Sequence, residues 1–399
     1  MRISLLVERE PFAEILVKTL TSHWKCRYEI QCELSWLTNF QPKPSDGTIL
    51  SGNSLLNFIV SSDVSTGSLE NITREYSLGE GSYFFRLLRK TYVGLATSSL
   101  LRSLLSDFSI HSSVPIPRQD DSVILGGNRR LRILHPTNQS CEVILKNGFP
   151  DLYISNDVLV RQLVDLDCAP KLLSSGQQDG WYEEEYFSGT PLNRIISINE
   201  MEAGVSKVAQ LLWDQLTLPT MVETPLSDYV QRLDSRFSAL ISKMSDQSLL
   251  EKVDALYGEI RTGLLAHAAE HEKIHEAWTH GDLQSGNVLT KDGVLKIIDW
   301  ECARVRPASF DYFVLNLKTR QFREWGNNFN QHLKESSNSF FLGNMKSIGA
   351  NSIVQNYAFL LEELLFSMEE SFEVNFVSVS EGFINNLCQI KKSLCSMGD

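Results

Sequence analysis

The stretch that most constrains this chain begins with HGDLQSGNVL at His280 and ends with VLKIID at Asp299. Within it, two apolar segments flank Asp292 and Gly293, a dipeptide that favours a tight turn between antiparallel strands. If the turn centres near Gly293, Asn287 and Asp299 are equidistant from it along the chain. Antiparallel pairing then predicts that both side chains lie at the open end of the hairpin.

Asp282 precedes Asn287 in a short loop with two glycines, so its carboxylate can converge with the side chains of Asn287 and Asp299. Oxygen ligands of this kind suit Mg²⁺ that is held jointly with substrate phosphates. In kinase-type phosphoryl transfer one Asp accepts the hydroxyl proton, while an Asn and another Asp hold the metal. We therefore predict Asp282 as the catalytic base and Asn287 and Asp299 as metal ligands, with His280 bracing the loop.

A simpler interpretation of these residues is a polar turn. Asp and Asn are common in turns and helix caps, where they satisfy nearby backbone groups, and this explanation suffices for any one of them. The complete pattern H-G-D-x-x-x-x-N, followed by a hairpin and I-I-D, favours the catalytic interpretation.

Composition narrows the functional classes. The chain has 399 residues, of which 42% are apolar, enough for two domains and a sizeable core. A net charge of −12, without a Lys- or Arg-rich run, argues against nucleic-acid binding as the main activity. Seven cysteines form no C-x-x-C pair, which is typical of reduced thiols and supports neither a disulfide framework nor a zinc site.

The sequence also bears on location. The opening sequence MRISLLVERE reaches charged residues too early for the apolar core of a signal peptide. Elsewhere, no uncharged apolar stretch approaches the roughly 18 residues needed to span a bilayer. We therefore expect a cytoplasmic protein without a transmembrane segment.

The clearest boundary is HSSVPIPRQDD at residues 111–121, where two prolines interrupt any regular element. Before it, ISLLV, YEIQCEL and LLNFIV predict strands, and PFAEILVKTLTSHW predicts a helix. We expect residues 1–112 to form a small α/β domain of unknown role. A further helix, with a possible N-cap at Ser82, carries Arg86, Arg89 and Lys90. It either packs on its own domain or touches a membrane surface or acidic partner.

After the boundary, SVIL, LRIL and CEVILK predict an antiparallel meander whose first turn contains Gly126, Gly127 and Asn128. A helix is predicted from about Asn156 to Asp167, followed by a strand in GWYEEEY. From residue 197 onward the pattern is mostly helical. We expect a small sheet-rich lobe at residues 113–187 and a larger helical lobe at residues 188–399, which contains the catalytic loop.

HGDLQSGNVL, IIDWE and the downstream RPASFDY together resemble the aminoglycoside phosphotransferase and choline/ethanolamine kinase group. The resemblance covers residues 122 to about 320. It implies an α+β, bilobal protein-kinase-like fold with a small antiparallel-sheet lobe and a larger helical lobe, to which the N-terminal α/β domain is an addition. It also implies that Asp311 holds the catalytic loop in place.

The resemblance implies a nucleotide site in the small lobe, residues 113–187, and an acceptor site in the helical lobe, residues 188–399. Lys146 corresponds to the lysine that grips the α- and β-phosphates, the two glycines allow close backbone approach to phosphates, and the connector supplies backbone groups to adenine. The implied nucleotide-binding residues are Lys146, Gly126, Gly127, Asn128, Glu185 and Phe187. One departure concerns the helix position that usually offers a Glu to the lysine, because Asn156 stands there, with Asp157 adjacent.

The sequence DWE, with no Ala-Pro-Glu segment after it, favours a small-molecule kinase over a protein kinase. We predict an ATP- and Mg²⁺-dependent phosphotransferase that moves the γ-phosphate to a hydroxyl of an amino alcohol, aminoglycoside or sugar. The alternative is a catalytically weak pseudokinase or nucleotide-sensing module in a larger assembly. The sequence does not name the acceptor or the oligomeric state.

Overall fold

The computed structural model describes residues 2–37, 47–77, 83–195, 197–320, 325–335, 340–372 and 381–398. These residues form a mixed α+β fold with two compact units. The first unit takes its residues from Met1–Arg161, Ala169–Thr190 and Leu289–Ile297, and the second from Gln162–Cys168, Pro191–Val288 and Ile298–Asp399. The α+β class predicted from the sequence is confirmed.

The strands of the described residues are β1 (Leu34–Leu37), β2 (Thr48–Asn53), β3 (Phe58–Ser61), β4 (Phe108–Ser112), β5 (Val123–Leu125), β6 (Arg130–His135), β7 (Ser140–Leu145), β8 (Leu172–Gly176), β9 (Trp181–Glu185), β10 (Thr190–Pro191), β11 (Val222–Pro225), β12 (Lys273–Thr279), β13 (Val288–Lys291), β14 (Val294–Ile297) and β15 (Arg304–Pro307). They form a nine-stranded sheet in the order β1-β4-β2-β3-β5-β6-β7-β9-β8. Two three-stranded sheets have the orders β10-β13-β14 and β11-β12-β15.

The helices of the described residues are α1 (Ile3–Arg9), α2 (Phe12–Tyr28), α3 (Thr66–Ser77), α4 (Tyr83–Thr97), α5 (Leu152–Leu163), α6 (Ile198–Leu212), α7 (Leu218–Thr220), α8 (Leu226–Ile241), α9 (Gln247–Ala266), α10 (Phe310–Leu317), α11 (Trp325–Glu335), α12 (Phe340–Ser347), α13 (Ser352–Ser371) and α14 (Glu381–Gly398). A π-helical turn at Trp213–Thr217 joins α6 to α7. None of these helices is long and apolar enough to cross a membrane.

The large sheet runs through the boundary that the sequence suggested near residue 112. Strand β3 pairs antiparallel with β5, with Ile59 opposite Ile124, and this pairing joins β1–β4 to the meander β5–β7 in one sheet. The separate N-terminal domain predicted for residues 1–112 is therefore not confirmed. Proline residues between β4 and β5 end one strand without ending the sheet, because the chain turns back and pairs again.

Helices cover both faces of this sheet. Phe12, Leu16 and other apolar residues of α1 and α2 pack on one face, against residues such as Ile144 of β7. Ile154 and Val158 of α5 pack on the other face, against Val143. Successive residues of a strand point to opposite faces, so β7 is covered on both sides.

In the second unit, the core lies around α13, which is buried along most of its length. Strand β12 pairs with β11 and β15, and this small sheet was not predicted from the sequence. It positions the predicted catalytic loop, since that loop begins immediately after Thr279, the last residue of β12.

Two strand predictions near the N-terminus are wrong. ISLLV forms helix α1, because Ile3 and Leu6 are buried one helical turn apart while Leu5 and Val7 are exposed. Most of YEIQCEL is not a strand either. Helix α2 continues to Tyr28, and only Leu34–Leu37 pairs with β4.

Other predicted elements are confirmed with shifted ends. The helix expected from Asn156 spans Leu152–Leu163, and the meander and the hairpin β13–β14 occur as predicted. The helix predicted after residue 82 is α4, but Ser82 itself lies outside the described residues.

Candidate active site

The predicted catalytic loop, His280–Asn287, is anchored by Asp311 at the start of α10. Its carboxylate accepts hydrogen bonds from the backbone N–H groups of His280, at 2.6 Å, and Gly281, at 2.9 Å. Burial raises the pKa of Asp311, although His280 and the two N–H donors oppose this rise. The role that the resemblance implied for Asp311, holding the loop, agrees with these contacts.

Gly281 is required by the backbone at this point. It has a φ of +85°, and a Cβ atom would lie 2.2 Å from the carbonyl oxygen of Cys302. A guanidinium nitrogen of Arg306 would also lie close to this Cβ atom. Burial, together with the positive charge of nearby Arg304, lowers the pKa of Arg306 to about 9. Only glycine lets the loop pass this close to Cys302 without displacing it.

His280 connects the loop to the end of the hairpin. Its Nε2 lies 3.0 Å from the carbonyl oxygen of Ile298, and its Nδ1 lies 3.3 Å from the backbone nitrogen of Asp282. A carbonyl oxygen only accepts, so the contact with Ile298 requires a proton on Nε2 of His280. The ring is buried and both nitrogens are used, which suits the predicted bracing role.

Asp282 lies in a dense hydrogen-bond network. Arg320 Nε donates to one carboxylate oxygen at 2.9 Å, and Gln284 Nε2 donates to the other at 3.1 Å. The amide of Asn287 donates to the Asp282 carbonyl oxygen at 2.9 Å. Asp282 and Asn287 are therefore in direct contact, as the loop spacing predicted, and the carboxylate is oriented from two sides.

Arg320 was not predicted as a site residue. It also pairs with the buried carboxylate of Glu363, and its guanidinium lies 4.3 Å from the Phe366 ring centroid. Burial alone would lower the pKa of Arg320, but the charges of Glu363 and Asp282 outweigh burial and raise it. Arg320 is therefore a permanent cation that bridges two carboxylates.

Asn287 and Asp299 both lie at the open end of the hairpin, the first just before β13 and the second just after β14. The backbone nitrogen of Ile298, next to Asp299, donates to the Asn287 carbonyl oxygen at 2.9 Å. Asp299 has a φ of +76° in the left-handed region, which is uncommon outside glycine and is found at functional sites. The structure thus brings the backbones of the two predicted metal ligands together.

The donor set at this end fits Mg²⁺ in its chemistry. The Asn287 amide nitrogen is committed to Asp282, which leaves the amide oxygen as the atom able to accept a cation. Among the described residues, no group of three or more His, Cys, Asp or Glu could hold a metal by itself. A carboxylate and an amide oxygen are ligand types that suit Mg²⁺ when the ion also binds phosphate oxygens.

The structure surrounds Lys146 with partners from the first unit. Its ammonium pairs with Glu10, which lies between α1 and α2, and donates to the carbonyl oxygens of Gly127, at 3.2 Å, and Asn128, at 2.7 Å. Only 1% of Lys146 is exposed. The three donors of an ammonium are matched by these three partners.

The predicted glycine turn joins β5 to β6 and packs under α1. A Cβ atom on Gly126 would lie 2.7 Å from Cγ1 of Ile3, and one on Gly127 would lie 2.4 Å from the carbonyl oxygen of Arg130. The side-chain oxygen of Asn128 is buried and has no hydrogen-bond partner among the described residues. The glycines therefore allow close approach of the protein's own chain at this turn.

Neither Asn156 nor Asp157 takes the role of the usual helix glutamate toward Lys146. Asp157 is fully buried and instead pairs with Arg130, at 2.7 Å, and with Arg161. Burial would raise the pKa of Asp157, but the two arginines outweigh burial and lower it. Asp157 lies on α5, on the opposite face of the sheet from α2, whereas Lys146 faces Phe12 of α2.

The predicted adenine contacts lie at the end of β9. The backbone nitrogen of Glu185 donates to the Lys171 carbonyl oxygen at 2.9 Å, and its side chain is exposed. The carbonyl oxygen of Phe187 accepts from the Gly189 nitrogen at 2.9 Å. Both backbones are ordered by local contacts within the first unit.

The predicted catalytic loop and the hairpin lie in a segment of the chain that matches a known protein family. Residues 161–337 match the Phosphotransferase enzyme family, and the predicted resemblance to aminoglycoside phosphotransferases and choline/ethanolamine kinases is thereby confirmed. Asp282, Asn287 and Asp299 lie inside the matched segment. Lys146 and the glycine turn precede it.

Several solved structures are similar to this chain. A choline/ethanolamine kinase family protein from Mesorhizobium loti is 15% identical, with a TM-score of 0.45 over 78% of this chain and 95% of that one. Choline kinase LicA from Streptococcus pneumoniae is 15% identical, with a TM-score of 0.42 over 70% and 91%. The ADP-bound aminoglycoside phosphotransferase APH(2'')-Ib is 16% identical, with a TM-score of 0.44 over 68% and 91%. Among curated proteins, none matches the chain.

Sequence reasoning missed three partners of the predicted site residues. Gln284 lies within the longer motif H-G-D-x-x-x-x-N, so its side chain was a visible candidate for contacting Asp282. Arg320 and Glu10 carry no local signal, because each reaches its partner only through the tertiary fold. No short motif links residues so far apart along the chain.

Proposed function

We propose that this protein is an ATP- and Mg²⁺-dependent phosphotransferase that transfers the γ-phosphate to a hydroxyl of a small molecule. The acceptor class we propose is an amino alcohol, aminoglycoside or sugar. The observation that carries the proposal is the contact between Asp282 and Asn287. Both residues, together with Asp299, lie in the segment that matches the Phosphotransferase enzyme family.

In this proposal Asp282 accepts the proton of the acceptor hydroxyl as the hydroxyl oxygen bonds to the γ-phosphorus and the bond from that phosphorus to ADP breaks, so that ADP leaves. Arg320 and Gln284 orient its carboxylate, so the acceptor meets a base that is already in place. Asn287 and Asp299 would hold Mg²⁺, and Mg²⁺ with ATP supplies the transferable phosphoryl group and neutralises its charge. His280 and Asp311 keep the loop in its shape and do not exchange protons with the substrate.

The role of Lys146 as a phosphate-binding residue is also part of the proposal. For this role, phosphate oxygens must replace at least one of the partners that Lys146 has in the structure. Among these partners, Glu10 is the one with a negative charge. Lys146 thus differs from the loop residues, whose predicted contacts need no rearrangement.

A second candidate function is a catalytically weak, nucleotide-sensing module. The observation that favours it is that the ammonium of Lys146 is already bonded to Glu10 and to two carbonyl oxygens. If Glu10 holds Lys146 permanently, nucleotide would lack one of its expected cationic contacts. Phosphoryl transfer then would be slow or absent while weak nucleotide binding persisted.

One experiment separates the two functions. Purified protein is incubated with Mg²⁺ and ATP labelled at the γ-phosphate, together with panels of amino alcohols, aminoglycosides and sugars, and labelled products are resolved. A labelled small molecule that requires both the acceptor and Asp282 supports the kinase. Nucleotide-dependent thermal stabilisation without transfer to any acceptor supports the sensing module and contradicts the proposed reaction.

A further inference from the structure

Large apolar side chains are exposed along α4 and the segment after it, more densely than anywhere else in the described residues. Tyr83 is 77% exposed, Phe84 63% and Leu100 90%. We call this region the α4 surface; it consists of Tyr83, Phe84, Phe85, Leu87, Leu88, Leu95, Leu100, Leu101 and Leu104. Contiguous exposed apolar side chains of this kind mark interaction sites in folded proteins.

The position of α4 explains why these side chains face outward. Val93 and Ala96 are buried against the sheet, and Tyr92 accepts a hydrogen bond from Asn53, so the second half of the helix is anchored. Phe84 lies on the opposite side of the helix from Val93, because nine residues amount to two and a half turns. From residue 83 to residue 91, every residue is exposed. The first turns of α4 thus extend beyond the part of the helix that packs on the sheet.

The charge of this region is opposite to that of the chain. The protein has a net charge of −12, yet residues 81–106 contain no Asp or Glu. Arg86, Arg89 and Lys90 are exposed on the first turns of α4, while Arg102 is buried and donates to backbone carbonyls. The α4 surface therefore combines aromatic and leucine side chains with three exposed cationic ones.

We propose that the α4 surface binds an anionic lipid bilayer. Aromatic and leucine side chains beside Arg and Lys are the composition of interfacial helices, whose apolar face enters the headgroup region while the cations meet anionic lipids. A bilayer can take up the apolar side chains of such a helix without a preformed groove. A protein partner, in contrast, would need a groove that encloses these turns, because they are exposed on every side.

A second copy of the chain is a weaker occupant for the same surface. In a symmetric dimer through α4, the Arg86, Arg89 and Lys90 of one copy would face those of the other, and this like-charge contact disfavours association. Charge complementarity therefore selects the anionic bilayer. The proposal is independent of the phosphotransferase reaction, since none of these residues belongs to the catalytic loop or the hairpin.

The test is co-sedimentation of the full chain with vesicles. Vesicles of phosphatidylcholine alone are compared with vesicles that also contain phosphatidylserine, at low and at high salt. We expect binding to the phosphatidylserine vesicles that weakens with salt, because screening reduces the attraction between surface charges. Phe84→Ser/Phe85→Ser and Arg86→Glu/Arg89→Glu should each lower the partition coefficient by about tenfold or more.

Matched variants control for general effects on the surface. Leu265→Ser removes an exposed apolar side chain from α9, and Lys243→Glu/Lys252→Glu reverses two exposed charges elsewhere. These variants should bind vesicles nearly as the wild type does. Circular dichroism and the thermal unfolding midpoint verify that each α4 variant is folded, so lost binding can be assigned to the surface itself.

Several outcomes overturn the proposal. One is that the wild-type protein stays in the supernatant with both vesicle types. Another is that the α4 variants bind vesicles as well as the wild type does. A third is a dimer in light scattering that Phe84→Ser/Phe85→Ser dissociates, since α4 would then be covered by a second copy. Each result is obtained without a phosphotransfer assay, so failure here is distinct from failure of the proposed reaction.

Discussion

Arg320 donates to the Asp282 carboxylate at 2.9 Å while its other nitrogens reach Glu363 and the Gly281 carbonyl oxygen. A residue of the predicted catalytic loop is thus tied to α13 through a buried guanidinium. The predicted base is therefore held at a defined position by the core of the second unit. This arrangement makes distinct predictions for the base, the cation and the residues around them.

Asp282→Asn should lower kcat by about 10²–10⁴-fold, because the amide cannot accept the hydroxyl proton while its shape preserves the loop. ATP binding should change little. The measurement is a coupled assay of ADP release with an accepted substrate. Asp292→Asn is the matched control, since that residue lies in the hairpin turn with a φ of +50° that Asn tolerates. Equal turnover in Asp282→Asn and the wild type would remove Asp282 from the mechanism.

Asp299→Asn should abolish most of the stabilisation that Mg²⁺ and nucleotide give to the fold. The substitution keeps a side chain that accepts left-handed backbone but removes the carboxylate charge that would hold the metal. At ligand concentrations about 100 times Kd, the wild type should gain about 2.7 kcal/mol, measurable as a shift in Tm. A shift in Asp299→Asn as large as that of the wild type would exclude a metal-binding role.

Arg320→Met should destabilise the fold by about 3–5 kcal/mol, because Glu363 would be left as a buried charge without its counterion. Urea unfolding followed by tryptophan fluorescence measures this change. The double variant Arg320→Met/Glu363→Leu should recover much of the loss, since it removes both charges. Its turnover should still be lower than that of the wild type, as Asp282 has lost an orienting partner. A single variant as stable as the wild type would argue against this ion pair.

Lys146→Met tests whether this lysine binds nucleotide or only holds the N-terminal helices. The structure predicts a loss of about 3–5 kcal/mol of folding free energy, because Glu10 would be buried without its partner. Lys18→Met is the control, since its pair with Glu14 is exposed and should matter little. If Lys146 also grips phosphates, Lys146→Met should weaken ATP binding beyond the effect of Glu10→Gln. Equal nucleotide affinity in both variants would assign Lys146 a purely structural role.

The buried Asp157 should make stability depend on acid pH. Its pKa is lower in the folded state than in the unfolded state, so the stability that it contributes is present above about pH 4 and is lost as pH falls through the folded pKa. Asp157→Asn should flatten this part of the curve of unfolding free energy against pH. Asp151→Asn changes an exposed carboxyl at the start of the same segment and should leave the curve unaltered. An unchanged curve in Asp157→Asn would show that other carboxyls dominate acid unfolding.

Local sequence was sufficient to predict the shape of the loop at residues 280–287 and of the hairpin. Asp292 and Gly293 adopt the positive φ angles of a tight turn, and their positions determine that Asn287 and Asp299 lie at the same end of the hairpin. The contact between Asp282 and Asn287 also follows from a spacing of a few residues. Such features depend on neighbours along the chain, which is why a short motif predicts them.

Tertiary structure alone decided the features that depend on distant partners. ISLLV has the composition of a strand, yet it is a helix because Ile3 and Leu6 bury their side chains against Gly126. Lys146 ends an apolar strand as predicted, but its ion pair with Glu10 required α1 and α2 to pack on one particular face of the sheet. Burial and ion pairing are properties of the folded surroundings, so residues such as Arg320 acquire their partners only when the whole chain has folded.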